Sequence, residues 1–351
     1  MEDGRPQREL VAVLRRRRDG AHGRGKRAAV RARAGPLDGH AAAEEAAALA
    51  LDPETGEDVY RIDRFGFGDS YSTPFLWRNA DRDELIITGS TRISAYDPAG
   101  GDPLWSVQGV TVFTCTTPTA DDGHLYFAGW SSPNATAKGL LDTAFPPPFE
   151  LKESDYTEIR PLFDRLDAND DDKLSIDELP PGRGKDAFGG LDQNKNGTWE
   201  WNEFSFLGGV GGAPGQNIAL SIRAGGSGDV TDTHVEWRWK RGIPYVSSPL
   251  LYRDRLWLVK AGGIMTTLDA ATGERRMDRE RLPVGGEYYM SPVGIGEHVL
   301  VGAASGELYV LEAKDELSIT STVAFGEPLL ATPAAVDGRL YVRTERAVWA
   351  F

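Results

Sequence analysis

A Ser-Pro or Thr-Pro pair recurs along this 351-residue sequence. Five of these pairs, with Pro74, Pro118, Pro249, Pro292 and Pro333, are spaced by 44, 131, 43 and 41 residues. An apolar segment follows each pair, as in RLWLVKAG at 255–262. Repeats of about 40–45 residues are typical of four-stranded sheets arranged radially. The spacing therefore predicts a mainly β fold built from repeated sheets.

A second phrase recurs between two strand-like segments. It reads LALDPETGEDVYRI near the start, ISAYDPAGGDPLWSV at 93–107 and MTTLDAATGERRMDR at 265–279. In the first copy, Asp52 supplies a side-chain acceptor and Gly56 tolerates a positive φ, which together favour a tight turn. Each copy is therefore predicted to be strand, turn, strand.

The 131-residue spacing is the exception. One ordinary repeat accounts for about 43 of these residues, so about 88 are left over. We expect them to be an insertion within one sheet, which begins at 117–130 and resumes at 217–224 and 235–241. The insertion contains the most specific motif of the chain, between Asp167 and Glu203.

That motif is a pair of twelve-residue segments, DANDDDKLSIDE and DQNKNGTWEWNE. Both place oxygen donors at positions 1, 3, 5, 9 and 12, which is the spacing of an EF-hand calcium loop closed by a bidentate Glu. The predicted ligands of the first loop are Asp167, Asn169, Asp171, the Lys173 carbonyl, Ser175 and Glu178. The predicted ligands of the second loop are Asp192, Asn194, Asn196, the Thr198 carbonyl, Glu200 and Glu203.

Position 6 distinguishes the two loops, and position 8 is expected to join them. Position 6 needs a positive φ; it is Gly197 in the second loop but Asp172 in the first, which leaves the occupancy of the first loop open. Position 8 is apolar in both loops, Leu174 and Trp199, and is expected to pair them through a short backbone bridge. The linker between the loops is short and contains Pro and Gly, so we expect helical stubs and a static site for one or two Ca²⁺ ions.

Charge is distributed unevenly along the sequence. The net charge is −14, yet residues 1–34 carry +7, which leaves −21 for the rest. The acidic body argues against nucleic acid as a partner. Residues 1–46 have an Arg-, Ala- and Gly-rich composition and are predicted to be a disordered basic tail. No apolar run is long enough for a transmembrane helix, and no signal peptide is recognisable.

The repeats resemble those of PQQ-like, or quinoprotein-type, β-propeller proteins. The resemblance rests on Ala95, Asp97, Gly101 and Trp105, with weaker copies around Asp52 and Asp269, and it covers about 47–138 and 216–351. It implies a β-propeller of four-stranded blades. Quinoprotein alcohol dehydrogenases have seven or eight blades, whereas the repeats here give about five plus a partial one at 47–64, and the loop motif adds a small α-helical EF-hand insertion. We expect the ring to be incomplete unless the last strand, AVWAF, pairs near Val59 and closes it.

The resemblance says little about enzymatic activity, because the family contains dehydrogenases, outer-membrane assembly lipoproteins and many proteins without assigned activity. Quinoprotein alcohol dehydrogenases have an adjacent cysteine pair, whereas this chain has only Cys115. We therefore expect a non-catalytic, calcium-binding scaffold with a protein partner on one propeller face, and no PQQ. The alternatives are a PQQ-dependent oxidoreductase, or a truncated relative of one, and a calcium sensor.

The predicted domain organisation follows from these points. Residues 1–46 form the tail, 47–138 the first blades, 139–215 the calcium-loop insertion and 216–351 the remaining blades. An extracytoplasmic location is expected from the family resemblance alone.

Overall fold

The described part of the protein is mainly β, and its helices lie in the insertion. The computed structural model describes residues 9–14, 28–33, 47–53, 55–63, 70–132, 137–156, 159–186, 188–192, 195–204 and 215–351.

The described strands form six antiparallel sheets that follow one another along the chain, plus one two-stranded ribbon. Sheet 1 contains β1 Glu9–Leu14, β2 Ala28–Arg33, β3 Ala47–Leu51 and β4 Asp58–Asp63. Sheet 2 contains β5 Phe75–Arg78, β6 Asp83–Gly89, β7 Arg92–Tyr96 and β8 Pro103–Gln108. Sheet 3 contains β9 Thr119–Ala120, β10 His124–Gly129, β13 Ile218–Arg223 and β15 Val235–Trp239.

The remaining sheets complete the series. Sheet 4 contains β16 Leu250–Tyr252, β17 Arg255–Lys260, β18 Ile264–Asp269 and β19 Arg275–Arg281. Sheet 5 contains β20 Val293–Ile295, β21 His298–Gly302, β22 Glu307–Glu312 and β23 Ile319–Ala324. Sheet 6 contains β24 Ala334–Val336, β25 Arg339–Arg343 and β26 Val348–Ala350. The ribbon contains β11 Lys173–Ser175 and β12 Thr198–Glu200, and a short β14, Gly228–Asp229, pairs with β8 in parallel.

Hydrophobic clusters lie between consecutive sheets. Sheets 2 and 3 share a cluster that includes Trp105 and Phe127, and sheets 4 and 5 share one that includes Trp257 and Val301. Similar clusters join sheets 1 and 2, 3 and 4, and 5 and 6. Each sheet is thus stabilised by burying apolar surface against its neighbours. This face-to-face packing of successive four-stranded sheets is the arrangement of propeller blades.

The Ser/Thr-Pro pairs that mark the repeats form a hydrogen-bond relay from sheet to sheet. The backbone N–H of Thr117 donates to Ser248 Oγ, that of Ser248 to Ser291 Oγ, and that of Ser291 to Thr332 Oγ1, each at 3.0 Å. A hydroxyl is needed at each step to accept this bond. The hydroxyls of Ser248, Ser291 and Thr332 accept these bonds, which accounts for the Ser or Thr before the proline in the last three of the five pairs.

The second repeated phrase is the turn between the third and fourth strands of a sheet. The N–H of Gly101 donates to the Asp97 carbonyl at 2.8 Å, and that of Gly273 to the Asp269 carbonyl at 2.9 Å. Gly56 makes the same bond to Asp52 at 2.7 Å. All three glycines have φ between 70° and 82°, a region that glycine enters without steric cost. The turns predicted from the sequence are confirmed.

Sheet 3 is interrupted by the insertion. Strand β10 pairs with β13 over six residues, from His124 opposite Arg223 to Gly129 opposite Ile218. Residues 130–217 therefore leave the sheet at the end of β10 and return beside the same end. The pairing agrees with the prediction that this sheet resumes at 217–224, and β15 follows within 235–241 as expected.

One expectation differs from the structure. The predicted tail at 1–46 contains β1 and β2, which pair with each other and with β3, so these two segments are not disordered. Val and Leu residues in ELVAVL and AAVRAR favour strands, but the Arg- and Gly-rich surroundings dominate the composition. The rest of the predicted tail lies outside the described residues.

Pairing of AVWAF with the strand around Val59, which would close the ring, is not present among the described strands. In the described part of the chain, β26 pairs with β25 and β4 with β3, and no ladder joins AVWAF to the strand around Val59. Sheet 1 instead has four strands because β1 and β2 complete it. Val348, Trp349 and Phe351 are 69%, 41% and 59% exposed.

Candidate metal centre in the inserted segment

The insertion consists of short helices around the β11–β12 ribbon. Its helical elements are α1 Ala137–Ala144, a 3₁₀ turn Glu153–Tyr156, α2 Arg160–Leu166, α3 Arg183–Asp186, α4 Phe188–Leu191 and α5 Trp201–Phe204. Pro161 lies in the first turn of α2, where a missing N–H costs nothing. The described helical segments beside the two loops span four to seven residues, while residue 187 between α3 and α4 and residues 205–214 after α5 lie outside the described residues.

A separate hydrophobic core holds the insertion together. Phe163, Leu174, Trp199 and Phe204 are fully buried within one cluster, whose members all come from residues 141–204. The Trp199 indole stacks on Phe188 with ring centroids 5.0 Å apart, and its Nε1–H donates to the Phe188 carbonyl at 2.9 Å. The insertion is therefore packed by its own residues and not by the sheets.

The β11–β12 ribbon joins the two predicted loops. Lys173 lies opposite Glu200, Leu174 opposite Trp199, and Ser175 opposite Thr198. Positions 7, 8 and 9 of one loop thus face positions 9, 8 and 7 of the other. The predicted backbone bridge between the two apolar position-8 residues is confirmed.

Side-chain oxygens of the first loop organise its own backbone. Asp167 Oδ1 accepts from the Asp171 N–H at 3.2 Å, and Asp167 Oδ2 accepts from the Asp172 N–H at 2.9 Å. Asp171 Oδ1 accepts from the Lys173 N–H at 3.0 Å. Glu178 Oε2 accepts from the Ser175 N–H at 2.7 Å. These bonds curl the chain around the buried Asp167 carboxylate.

The second loop repeats this pattern position by position. Asp192 Oδ1 accepts from the Asn196 N–H at 3.1 Å, and Asp192 Oδ2 accepts from the Gly197 N–H at 2.9 Å. The Asn196 side-chain oxygen accepts from the Thr198 N–H at 2.9 Å, and Glu203 Oε2 from the Glu200 N–H at 2.8 Å. Four equivalent bonds in two different sequences indicate one shared loop conformation.

The backbone angles agree with that reading. Positions 4 and 6 are left-handed in both loops, with φ of 57° at Asp170 and 61° at Asp172, and of 54° at Lys195 and 83° at Gly197. Asp172 therefore adopts the conformation that Gly would adopt without strain. Its carboxylate forms an ion pair with Arg160, which also binds Asp164 at 2.6 Å.

The closing glutamates differ in their surroundings. Glu203 is fully buried, whereas Glu178 is half-buried and accepts further bonds from Ser175 Oγ at 2.8 Å and the Ala168 N–H at 3.0 Å. Desolvation would raise the pKa of Glu178, but the hydrogen bonds from Ser175 and Ala168 outweigh it and lower the pKa from its usual 4.5. Glu178 is therefore held as a carboxylate at neutral pH.

The predicted ligand set is brought together only in part. The structure describes eleven of the twelve predicted ligand residues, and Asn194 lies outside the described residues. The described ligands are the Asp and Glu at positions 1 and 12 of each loop, Asn169, Asp171, Ser175, Asn196, Glu200 and the Lys173 and Thr198 carbonyls. Across the described ranges, no group of three or more His, Cys, Asp or Glu side chains is close enough to hold a metal ion. Much of the predicted donor set is amide, hydroxyl and carbonyl oxygen, which suits a hard cation such as Ca²⁺.

Sequence reasoning missed a clamp at the base of the insertion. Asn217 Oδ1 accepts from the Ser131 N–H at 2.8 Å, and Asn217 Nδ2 donates to the Ser131 carbonyl at 2.9 Å. Thr111 Oγ1 donates to Ser131 Oγ at 2.9 Å and contacts Asn217 Oδ1 at 3.2 Å. The two ends of the insertion are thereby joined to each other and to the connection after sheet 2. No sequence motif predicts this clamp, since Ser131 and Asn217 are 86 residues apart.

A buried ion pair was also missed. Asp155 is 1% exposed and accepts from Arg165 Nη2 at 2.7 Å, while the Arg165 guanidinium lies 5.7 Å from the Phe149 ring centre. Burial opposes ionisation of Asp155, but hydrogen bonds from Arg165 and the Lys152 N–H lower its pKa. The pair fixes α2, which leads directly into the first loop.

Cys115 does not form part of this centre. Burial raises the pKa of its thiol, although a hydrogen bond with Tyr245 opposes the shift. A raised pKa keeps the thiol protonated at neutral pH, which argues against a role as a nucleophile.

Comparisons with known proteins bear on the fold alone. No family model matches the sequence, and no curated protein matches it. Among solved structures, BamB from Moraxella catarrhalis is similar with a TM-score of 0.52 and 14% identity, covering 93% of this chain and 69% of that one. The N-terminal domain of BBS1, solved in complex with ARL6, has a TM-score of 0.46 and 11% identity, covering 92% and 73%.

The BamB structure is a β-propeller, and its likeness supports a β-propeller fold for this chain. This agrees with the six sheets and with the clusters between them. None of the helices in the described ranges is long and apolar enough to span a membrane.

Proposed function

We propose that this protein is a non-catalytic β-propeller scaffold whose inserted loops bind calcium through a pair of EF-hand-type sites. The observation that carries the proposal is the repetition of the same four backbone-to-side-chain hydrogen bonds in both loops. Such a pattern arises when an Asp at position 1 and a Glu at position 12 hold a loop around a common centre. Oxygen donors at the remaining positions suit Ca²⁺, which takes six to eight of them.

The residues that would hold the ions are the twelve predicted ligands. Asp167 and Glu178 would be the main charged ligands of one site, and Asp192 and Glu203 those of the other. Bound calcium would supply a divalent charge that neutralises this acidic cluster. Before any ion binds, the backbone N–H groups and Arg160 already offset part of the repulsion between the carboxylates.

A structural role is favoured over a sensing role. A sensor opens by swinging long helices apart to expose an apolar groove. Here the described helical segments beside the loops have four to seven residues, and their apolar side chains already pack into one core. We therefore expect calcium to stiffen the insertion without opening it, and helix content measured by circular dichroism to change little.

The clamp gives the insertion a defined attachment to the propeller. Ser131 and Asn217 hold its two ends beside the end of β10, and Trp130 contacts Tyr245 of the connection to sheet 4, with ring centroids 5.5 Å apart. The insertion thus leaves from the end of the sheets where the sheet-to-sheet connections run. A stiffened insertion there would shape one propeller face for a protein partner, and an extracytoplasmic location fits sites of modest affinity.

Terbium luminescence tests the calcium sites. Trp199 and Trp201 belong to the second loop, so Tb³⁺ bound there should luminesce on excitation of tryptophan and be displaced by Ca²⁺. Glu203→Gln should remove most of the signal, whereas Asp177→Asn, an equal charge change at a position with no ligand role, should retain it. Absence of the signal in the unmodified protein would refute the calcium proposal.

The non-catalytic part has its own test. The protein is incubated with PQQ and calcium, and reduction of an artificial dye by alcohol or sugar substrates is followed by absorbance. We expect no reduction above that of free PQQ. Dye reduction that requires both protein and PQQ would replace the scaffold proposal with the oxidoreductase.

A further inference from the structure

A basic groove lies between sheets 3 and 4. It is a cleft of about 700 Å³, lined by Arg238, Trp239, Lys240, Arg241, Glu274 and Arg275. One wall is the end of β15 and the residues after it, and the other is the turn between β18 and β19. Trp237, next to this wall, is anchored to that turn because its Nε1–H donates to the Ala270 carbonyl at 2.9 Å.

The cations in this groove differ from those around it. Outside the groove, Arg276 is neutralised by Asp269 at 2.6 Å, and Arg279 by Asp278 at 3.3 Å. Lys240 and Arg241 are exposed, and no carboxylate of the described residues lies within ion-pair distance of either. Two uncompensated charges thus project from a protein body of strongly negative net charge.

The remaining lining residues limit what can bind. The Arg275 guanidinium forms an ion pair with Asp278 at 2.7 Å, and the Arg238 guanidinium donates to the Thr231 carbonyl at 2.7 Å. Both arginine side chains are therefore held at the rim of the groove. Trp239 is half-buried and contributes an apolar wall. A ligand with both carboxylates and an apolar side chain would satisfy the two kinds of surface.

We propose that this groove binds an acidic peptide segment of a partner protein, with Lys240 and Arg241 pairing with its carboxylates and Trp239 packing on its apolar residue. A peptide is favoured over nucleic acid because the net charge of −14 of the protein repels a polyanion that extends beyond the short groove. The proposal rests on the scaffold function and names the chemistry of the scaffold's partner. The groove adjoins the end of sheet 3 from which the insertion leaves.

Fluorescence polarisation of a short labelled peptide of alternating Glu and Leu tests this site. The unmodified protein should bind it and should not bind the matched Gln and Leu peptide, and added salt should weaken binding. Lys240→Glu with Arg241→Glu should reduce affinity by at least about tenfold. The control, Arg343→Glu with Arg346→Glu, makes the same change of net charge on exposed residues of sheet 6 and should leave affinity unchanged.

A gain-of-affinity variant guards against loss through misfolding. Glu274 is the single acid of the groove lining, so Glu274→Lys should tighten binding by about threefold, which a folding defect would not produce. Equal loss in both double variants, tighter binding of single-stranded DNA than of the peptide, or no binding at all would overturn the proposal. Terbium luminescence on the same samples reports the calcium sites separately, so the two proposals can fail independently.

Discussion

The two loops of the insertion share one backbone and differ in what surrounds it. Both carry the same four hydrogen bonds, yet position 6 is Gly in one and Asp in the other, and the closing Glu is buried in one and half-buried in the other. The common conformation follows from Asp at position 1, which receives two N–H bonds in each loop. The differences concern strain and solvent access, and they should appear as unequal stabilities and affinities.

The largest effect is expected where the loops are joined. Trp199→Ala removes a fully buried indole that stacks on Phe188 and lies opposite Leu174, and it should destabilise the insertion by about 3–5 kcal/mol. Trp201→Ala, at a half-buried indole, should cost clearly less. Hydrogen exchange of the β11 and β12 amides measures both variants. Equal losses would mean that the ribbon does not couple the two loops.

Substitution of the Glu at position 12 of each loop should show which of the two proposed calcium sites depends more on that residue. Glu203→Gln should weaken calcium binding at the proposed second site by about tenfold or more, because the buried carboxylate that the proposal assigns as its closing ligand is lost. Glu178→Gln should affect the first site less, since solvent already reaches Glu178. Isothermal titration calorimetry of the two variants gives the stoichiometry and affinity of each site. A larger loss from Glu178→Gln would reverse the proposed order.

Exchanging Asp and Gly at position 6 of the two loops tests how much backbone strain a side chain causes at this positive φ. Gly197→Asp places a side chain at φ 83° and should destabilise the second loop by about 1 kcal/mol. Asp172→Gly relieves strain but loses the ion pair with Arg160, so its net effect should stay within about 0.5 kcal/mol. Urea unfolding of the calcium-free protein measures both. If Asp172→Gly is strongly stabilising, the Arg160 pair contributes nothing.

The smallest effect is expected from pH. The pKa of Glu178 is lowered in the folded protein, so its contribution to stability is complete above pH 4.5 and is lost as the pH falls through the lower, folded value. Glu178→Gln should remove this part of the acid sensitivity. Unfolding midpoints between pH 5 and pH 3 give the comparison, and identical pH profiles of the variant and the unmodified protein would contradict it.

Much of the fold could be predicted because its signals are periodic. The Ser/Thr-Pro pairs and the Asp–Gly turns recur at nearly constant spacing, and each has a local physical cause, a hydroxyl acceptor or a positive φ. Even the interruption of sheet 3 follows from one anomalous spacing. The strands of the N-terminal segment could not be predicted in this way, since pairing with β3 decides their structure more than their own composition does.

The candidate site was predictable to a similar extent. Loop positions, apolar residues at position 8 and short helices all follow from the sequence of residues 167–203. The clamp of Ser131, Asn217 and Thr111, and the groove around Lys240, could not be predicted, because they depend on residues that only the sheet order brings together. Whether a surface region is basic also depends on which acidic residues fold next to its cations, as Asp278 does beside Arg275.

The clamp has a consequence for how such a chain could evolve. Closing a loop costs entropy that grows only with the logarithm of its length, so replacing a hairpin of a few residues by residues 130–217 costs roughly 2–3 kcal/mol. The insertion's own core can offset a cost of this size, and Gly129 opposite Ile218 preserves the register of the sheet. The inserted segment could therefore be gained or lost by one recombination event at this hairpin, without a change in any other blade.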